Sequence, residues 1–185
     1  MGTNFELGTQ RYLASLRDGA GVQSAVSEAN VAIHKDAVFV AAVEMLEETG
    51  VIDMKQLAGR AGISRASLYR YYADKLAVEA EVAGCLARLM AEAAADHQQV
   101  LGKLRVVIDV MIEFPAGAAA LAPVVAEADP AVIAESCEAI VGHPGATPVL
   151  VGFAAMISSA HRRGSIEQVK AMADDVLRQF ELSLV

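Results

Sequence analysis

The stretch Asp53-Met54-Lys55-Gln56-Leu57-Ala58-Gly59-Arg60-Ala61-Gly62-Ile63-Ser64-Arg65-Ala66-Ser67-Leu68-Tyr69-Arg70-Tyr71-Tyr72-Ala73-Asp74-Lys75 decides how the chain folds. It carries the marks of two short helices joined by a tight turn. Asp53 has the side chain of an N-cap, and Gln56 follows at capping-box spacing. Leu57, Ala58 and Ala61 share one helical face. Gly62 is expected to end the first helix in the left-handed conformation, which glycine adopts at no steric cost. Ile63 fills the corner, and Ser64 caps a second helix. On that helix Leu68 and Tyr72 are four residues apart and are expected to face inward. Arg65, Ala66, Ser67, Tyr69, Arg70 and Tyr71 are then left facing outward.

Two short helices across a small-residue turn are the helix-turn-helix plan. In that plan the start of the second helix meets base edges in the DNA major groove. Charge points the same way. Lys55, Arg60, Arg65, Arg70 and Lys75 face only Asp53 and Asp74, so the stretch carries +3. The whole chain carries −8, which leaves −11 elsewhere. A basic island on an acidic protein is a local electrostatic footprint for phosphate. The plainer alternative is a helical hairpin with a solvated basic face.

The run from Gly50 to Leu76 resembles the DNA-binding domain of the tetracycline-repressor (TetR) family. The residues that carry the likeness are Glu48-Thr49-Gly50, Leu57-Ala58, Ala61-Gly62-Ile63-Ser64, Leu68-Tyr69-Arg70-Tyr71-Tyr72 and Asp74-Lys75. Both their order and their spacing match, over residues 34–85. Asp53-Met54 stands where the family has paired threonines, Tyr71 where histidine is common, and Leu76 where glutamate is frequent. The resemblance implies an all-α protein. An N-terminal three-helix DNA-binding domain is followed by a C-terminal helical domain for ligand binding and dimerisation. It implies a transcriptional regulator of the repressor kind, released from operator DNA by a small molecule and acting as a homodimer. Arg65, Ala66 and Ser67 would face bases, and Lys55, Tyr69, Tyr71 and Lys75 would hold phosphates. Arg70 would serve either role.

Outward from that stretch, residues 1–30 form an extension of low information. Phe5, Tyr12, Leu13 and Leu16 fit one helical face before Gly19-Ala20-Gly21, so an extra helix is expected there. Residues 31–80 are the DNA-binding domain. Its first helix is expected over 31–49, capped by Ser27 or Asn30. A long helix is expected from Lys75 to His97, capped by Asp74. In the resemblance this helix links the two domains, and its tilt sets the spacing of the reading heads.

Residues 81–185 are expected to be further helices for effector binding and dimerisation. One runs from Val100 to Pro115 and one from Ala116 to Ala128. Another opens at Asp129-Pro130 with a stripe of Val132, Ile133, Cys137, Ile140 and Val141. Two more are expected from Pro148 to Arg163 and from Ile166 to the end, both apolar over wide faces. The resemblance makes these two a four-helix dimer interface. Val107, Met111, Phe114, Val124, Ile133 and Phe153 are candidates to line a pocket for a small uncharged ligand. The competing possibility is that they simply pack together.

Composition sets outer bounds. At 185 residues the chain is 55% hydrophobic and 5% aromatic, with no Trp. No run of 18 apolar residues appears, so no membrane span is expected. Neither a signal-peptide pattern nor a cysteine pair is present, and a cytoplasmic location follows as an expectation. His34, His97, His143 and His161 are too scattered for a metal site. There is no nucleophile motif or phosphate-cradling loop. No cofactor, metal or enzymatic activity is expected. The rival function is a helical protein-interaction module that keeps the fold without binding DNA.

Overall fold

In a computed structural model, residues 22–183 are described. They form nine α-helices and no strand: α1 Val22–Thr49, α2 Met54–Arg60, α3 Arg65–Tyr71, α4 Lys75–Ala95, α5 Val100–Glu113, α6 Pro115–Glu127, α7 Pro130–Val141, α8 Ala146–Arg162 and α9 Ile166–Ser183. The all-α expectation is met. The suggested extra helix before Gly19 lies outside the described residues. No single helix among the described residues is long and apolar enough to cross a membrane.

Several helix boundaries differ from expectation. α1 begins at Val22, so Ser27 and Asn30 lie inside it and do not cap it. Ala25, Glu28, Ala29 and Ala32 are good helix formers, and no proline interrupts them. α8 begins at Ala146, so Pro148 falls within its first turn. There the missing N–H is harmless, because the first N–H groups of a helix have no intrahelical partner. Pro115, expected to end the helix from Val100, instead opens α6, and α4 ends at Ala95 rather than His97. Asp129 accepts from the Ala131 N–H at 2.8 Å and caps α7, with Pro130 as its first residue.

The chain divides into two compact units. Residues 22–42 and 53–75 belong to the first; residues 43–52 and 76–183 belong to the second. In the second unit α8 is the centre, and α5, α6, α7 and α9 all pack on it. Phe153, Ala154, Ile157 and Ala160 of α8 are buried, as are Leu104, Val107, Ile108 and Met111 of α5. Leu86, Met90 and Ala94 from α4 join the same core. The start of α6 is enclosed all round, with Ala116, Gly117, Ala118, Ala119 and Ala120 buried in succession. Only small side chains permit that, since a protein interior leaves no room for a larger group at a close helix approach.

The last turns of α1 also belong to this unit, and His161 at the end of α8 bonds them through Nε2 to the Glu47 carbonyl at 2.9 Å.

Three apolar expectations fail. Val132 is 55% exposed, so the inward stripe of α7 is Ile133, Cys137, Ile140 and Val141 without it. Met172, which a wide apolar face on α9 would include, is 49% exposed. α9 is not apolar over a wide face. Val169, Ala173 and Leu177 form one buried stripe, while Glu167, Lys170, Asp174, Asp175 and Arg178 are exposed. Residues on a charged helix face stay in water unless paired, which limits α9 to a single seam.

Gly117 gives a direct measure of this packing. A Cβ there would lie 2.6 Å from Phe114 Cδ1 and 2.8 Å from Leu86 Cβ. Leu86 Cβ is tied to the α4 backbone and cannot swing away. Gly117→Ala is therefore expected to destabilise the fold by about 1–3 kcal/mol, although alanine is the better helix former. Denaturant melts of the two chains check this, and equal midpoints would contradict the close approach.

Candidate nucleic-acid interface

Each bend in the 53–75 stretch has a local cause. The Asp53 carboxylate accepts from the Gln56 N–H at 2.8 Å and starts α2. Leu57 and Ala58 are buried beneath it. At the far end Gly62 takes φ +68. Its N–H bonds to the Gly59 carbonyl at 3.2 Å, and the Ile63 N–H bonds to the Ala58 carbonyl at 3.0 Å. These two bonds are the Schellman closure, which satisfies the last carbonyls of a helix. Ile63 is half-buried in the corner. Ser64 then accepts from the Ser67 N–H at 3.0 Å and starts α3. Its own hydroxyl donates to Ser67 Oγ at 3.0 Å.

Leu68 is buried at the centre of α3, and Tyr72 is buried at its end. The Lys35 ammonium stands 5.6 Å from the centre of the Tyr72 ring. With those two side chains inside, the opposite face is fixed. Arg65, Ala66 and Arg70 are exposed, Tyr69 is 53% exposed, and Ser67 is half-buried. Lys55 on α2 and Lys75 at the start of α4 are exposed as well. None of Lys55, Arg65, Arg70 and Lys75 is ion-paired with a described carboxylate. Exposed, unpaired cations give up little on meeting a phosphate, since no existing pair has to break.

Tyr71 has a different setting. It is half-buried, and its hydroxyl lies 2.9 Å from His34 Nδ1. Arg70 Nη2 donates to the same oxygen at 3.2 Å. The Arg70 guanidinium also lies over the Tyr71 ring, 5.2 Å from its centre. The His34 ring is tilted against Tyr71, with centroids 5.8 Å apart. Arg70 is thereby directed by two contacts at once. His34 is a residue that sequence reasoning passed over. It lies 37 positions from Tyr71, and no local pattern links them.

The candidate ligand residues do not all gather. Met111 and Ile133 line a cavity of about 80 Å³ in the second unit, whose remaining wall includes Met90, Leu121, Val125, Cys137, Ile140 and Leu150. Val107 and Phe153 are fully enclosed in the core outside that lining. Phe114 packs over Gly117, and Val124 is half-buried outside the lining. Helical spacing held a signal for the missing wall. Leu121 and Val125 are four apart, as are Ile133 and Cys137, with Ile140 three further on. Burial pushes the Cys137 thiol above its usual pKa, so it stays neutral and belongs with the apolar wall. Cys85 and Cys137 are both free.

No family model, curated protein or solved structure matches the chain.

Two glycines three positions apart should respond in opposite ways. Neither has an atom within 4 Å of the place a Cβ would take. Gly62 needs its left-handed backbone, so Gly62→Ala should cost about 1–2 kcal/mol. Gly59 is an ordinary helical position, so Gly59→Ala should stabilise by roughly 0.5–1 kcal/mol. Thermal unfolding of the two variants checks the turn; shifts of the same sign would mean that Gly62 does not make it.

Proposed function

We propose that this chain is a sequence-specific DNA-binding transcriptional regulator, a homodimeric repressor released from its operator by a small apolar ligand. The observation that carries this is the α2–α3 pair. Two capped helices meet across a left-handed glycine turn, and the outer face of the second presents unpaired arginines on an otherwise acidic chain. The likeness of residues 34–85 to the tetracycline-repressor family agrees with it.

In this mechanism Arg65 reads a guanine, because its planar fork matches the two major-groove acceptors of that base. Ala66 and Ser67 lie beside it and meet neighbouring base edges. Lys55, Tyr69 and Lys75 hold phosphates and set the register. Lys75 is at the start of α4, where free backbone N–H groups add to its charge. The second copy is expected on the outer surface of α8 and α9. There Ala155, Met156, Ser159 and Met172 line an open groove of about 310 Å³. An exposed methionine among small residues suits an isologous contact between two copies.

The effector is expected in the apolar cavity walled by Met90, Met111 and Cys137. At about 80 Å³ it is smaller than ordinary ligand pockets, which run to roughly 300–1,000 Å³. Binding therefore needs the wall to open, and flexible methionines are the side chains best able to rearrange. A ligand that weakens DNA binding must itself bind less tightly when DNA is present.

DNA binding is tested with duplexes selected by the parent protein from a random-sequence pool. Lys75→Ala should weaken all duplexes about equally and lower the salt slope by about one unit. Arg65→Ala should cost about 1–3 kcal/mol and relax the preference at one base position. Saturation should require two chains per duplex. A parent protein with no salt-dependent binding would leave the protein-interaction module as the reading. The cavity has its own test: a small uncharged apolar compound that fills it should slow alkylation of Cys137 and leave Cys85 unaffected. Equal protection of both thiols, or of neither, would contradict this site.

A further inference from the structure

A polar chain runs from α1 to the outer face of α3 within the first unit. His34 Nδ1, the Tyr71 hydroxyl and Arg70 Nη2 are linked at 2.9 and 3.2 Å. A phenol has one O–H donor and two acceptor lone pairs. It accepts from Arg70 and still has a second bond for His34, whichever partner carries the bridging proton. The oxygen is therefore held in line from the α1 side while it holds the guanidinium on the α3 side. The Tyr71 ring beneath Arg70 adds a face-on contact.

An arginine has many rotamers, and most of that freedom is lost when its head group is bound. Ordering it beforehand removes part of that cost from the binding step. Arg70 has no described carboxylate partner that would draw it elsewhere. We propose that His34 is a positioning residue for DNA recognition: acting through the Tyr71 hydroxyl, it pre-orders Arg70 on the outer face of α3. This rests on the reading that α3 faces DNA. It also changes the task of Tyr71. The phenol directs Arg70 from half-buried ground, and Arg70 makes the contact with DNA.

The alternative is that the His34–Tyr71 bond only ties α1 to α3. A double-substitution cycle on the full chain separates the two. The probes are duplexes that the parent protein selects from a random-sequence pool. Arg70→Ala should lower the salt slope by about one unit. His34→Ala and Tyr71→Phe should each weaken binding about three- to tenfold, the range of one lost hydrogen bond. Neither should add further loss in the Arg70→Ala background. His34→Asn, whose side-chain oxygen reaches close to the place of Nδ1, should restore binding. In the DNA-free protein, ¹⁵N relaxation of the Arg70 side chain should show faster motion in Tyr71→Phe than in the parent.

Equal losses from His34→Ala with and without Arg70 would overturn the positioning role, as would unchanged Arg70 motion in Tyr71→Phe. Loss of melting temperature without loss of affinity would leave His34 as a tie between helices only. If the parent shows no salt-dependent binding to any duplex, the DNA reading fails and the positioning role falls with it. An additive cycle in a parent that does bind overturns the positioning role alone.

Discussion

The left-handed turn at Gly62 is the constraint on which the candidate interface depends. It closes α2 through two backbone bonds and leaves the chain extended at Ser64, ready to be capped into α3. The angle between the two helices is thus set by backbone geometry, and side chains need only fill it. Leu57, Ala58 and Leu68 do so from beneath. Once Leu68 and Tyr72 are inside, the helical period leaves Arg65, Ala66, Tyr69 and Arg70 no choice but the outside. Position and exposure of the basic face therefore follow from one φ angle and two buried side chains.

The second unit depends on a different constraint, the closeness of the start of α6 to α4 and α8. Five consecutive small residues at the start of α6 are buried, and Gly117 has Phe114 and Leu86 where a side chain would stand. Helices this close exclude long side chains between them, so the larger apolar groups collect elsewhere. Leu121, directly after the buried alanines, and Val125, one turn further on, reach the small cavity together with Met90 and Met111. The cavity lies where the small-residue seam ends and bulkier side chains meet less completely.

Electrostatics explains how an acidic chain can carry a basic face. At ordinary ionic strength, exposed charges more than about 10 Å apart are largely screened from each other. The +3 of residues 53–75 therefore acts on a nearby phosphate with little opposition from carboxylates beyond that distance. In the second unit, by contrast, Arg105, Lys170 and Arg178 are paired with Asp174, Glu167 and Asp175. Such exposed pairs contribute little stability, but they neutralise their cations locally. Lys55, Arg65, Arg70 and Lys75 of the first unit have no such ion pair among the described residues.

How much of this was legible beforehand follows the range of each interaction. Asp53, Gly62, Ser64 and Asp129 act on backbone groups within four residues of themselves, so their helix ends could be located in the sequence alone. The outward placement of Arg65 and Arg70 also followed from helical period, given one buried leucine. Period says which residues share a face; it does not say whether a neighbour covers that face. That is why Val132 and Met172 proved exposed, why α9 kept only one apolar seam, and why Val107 and Phe153 went into solid core while Leu121, Val125 and Cys137 reached the cavity. Its limit is clearest at Tyr71. The sequence placed this residue on α3, but only the tertiary fold put His34 against its hydroxyl, because a hydrogen bond across 37 residues depends on how helices pack and leaves no periodic trace in the chain.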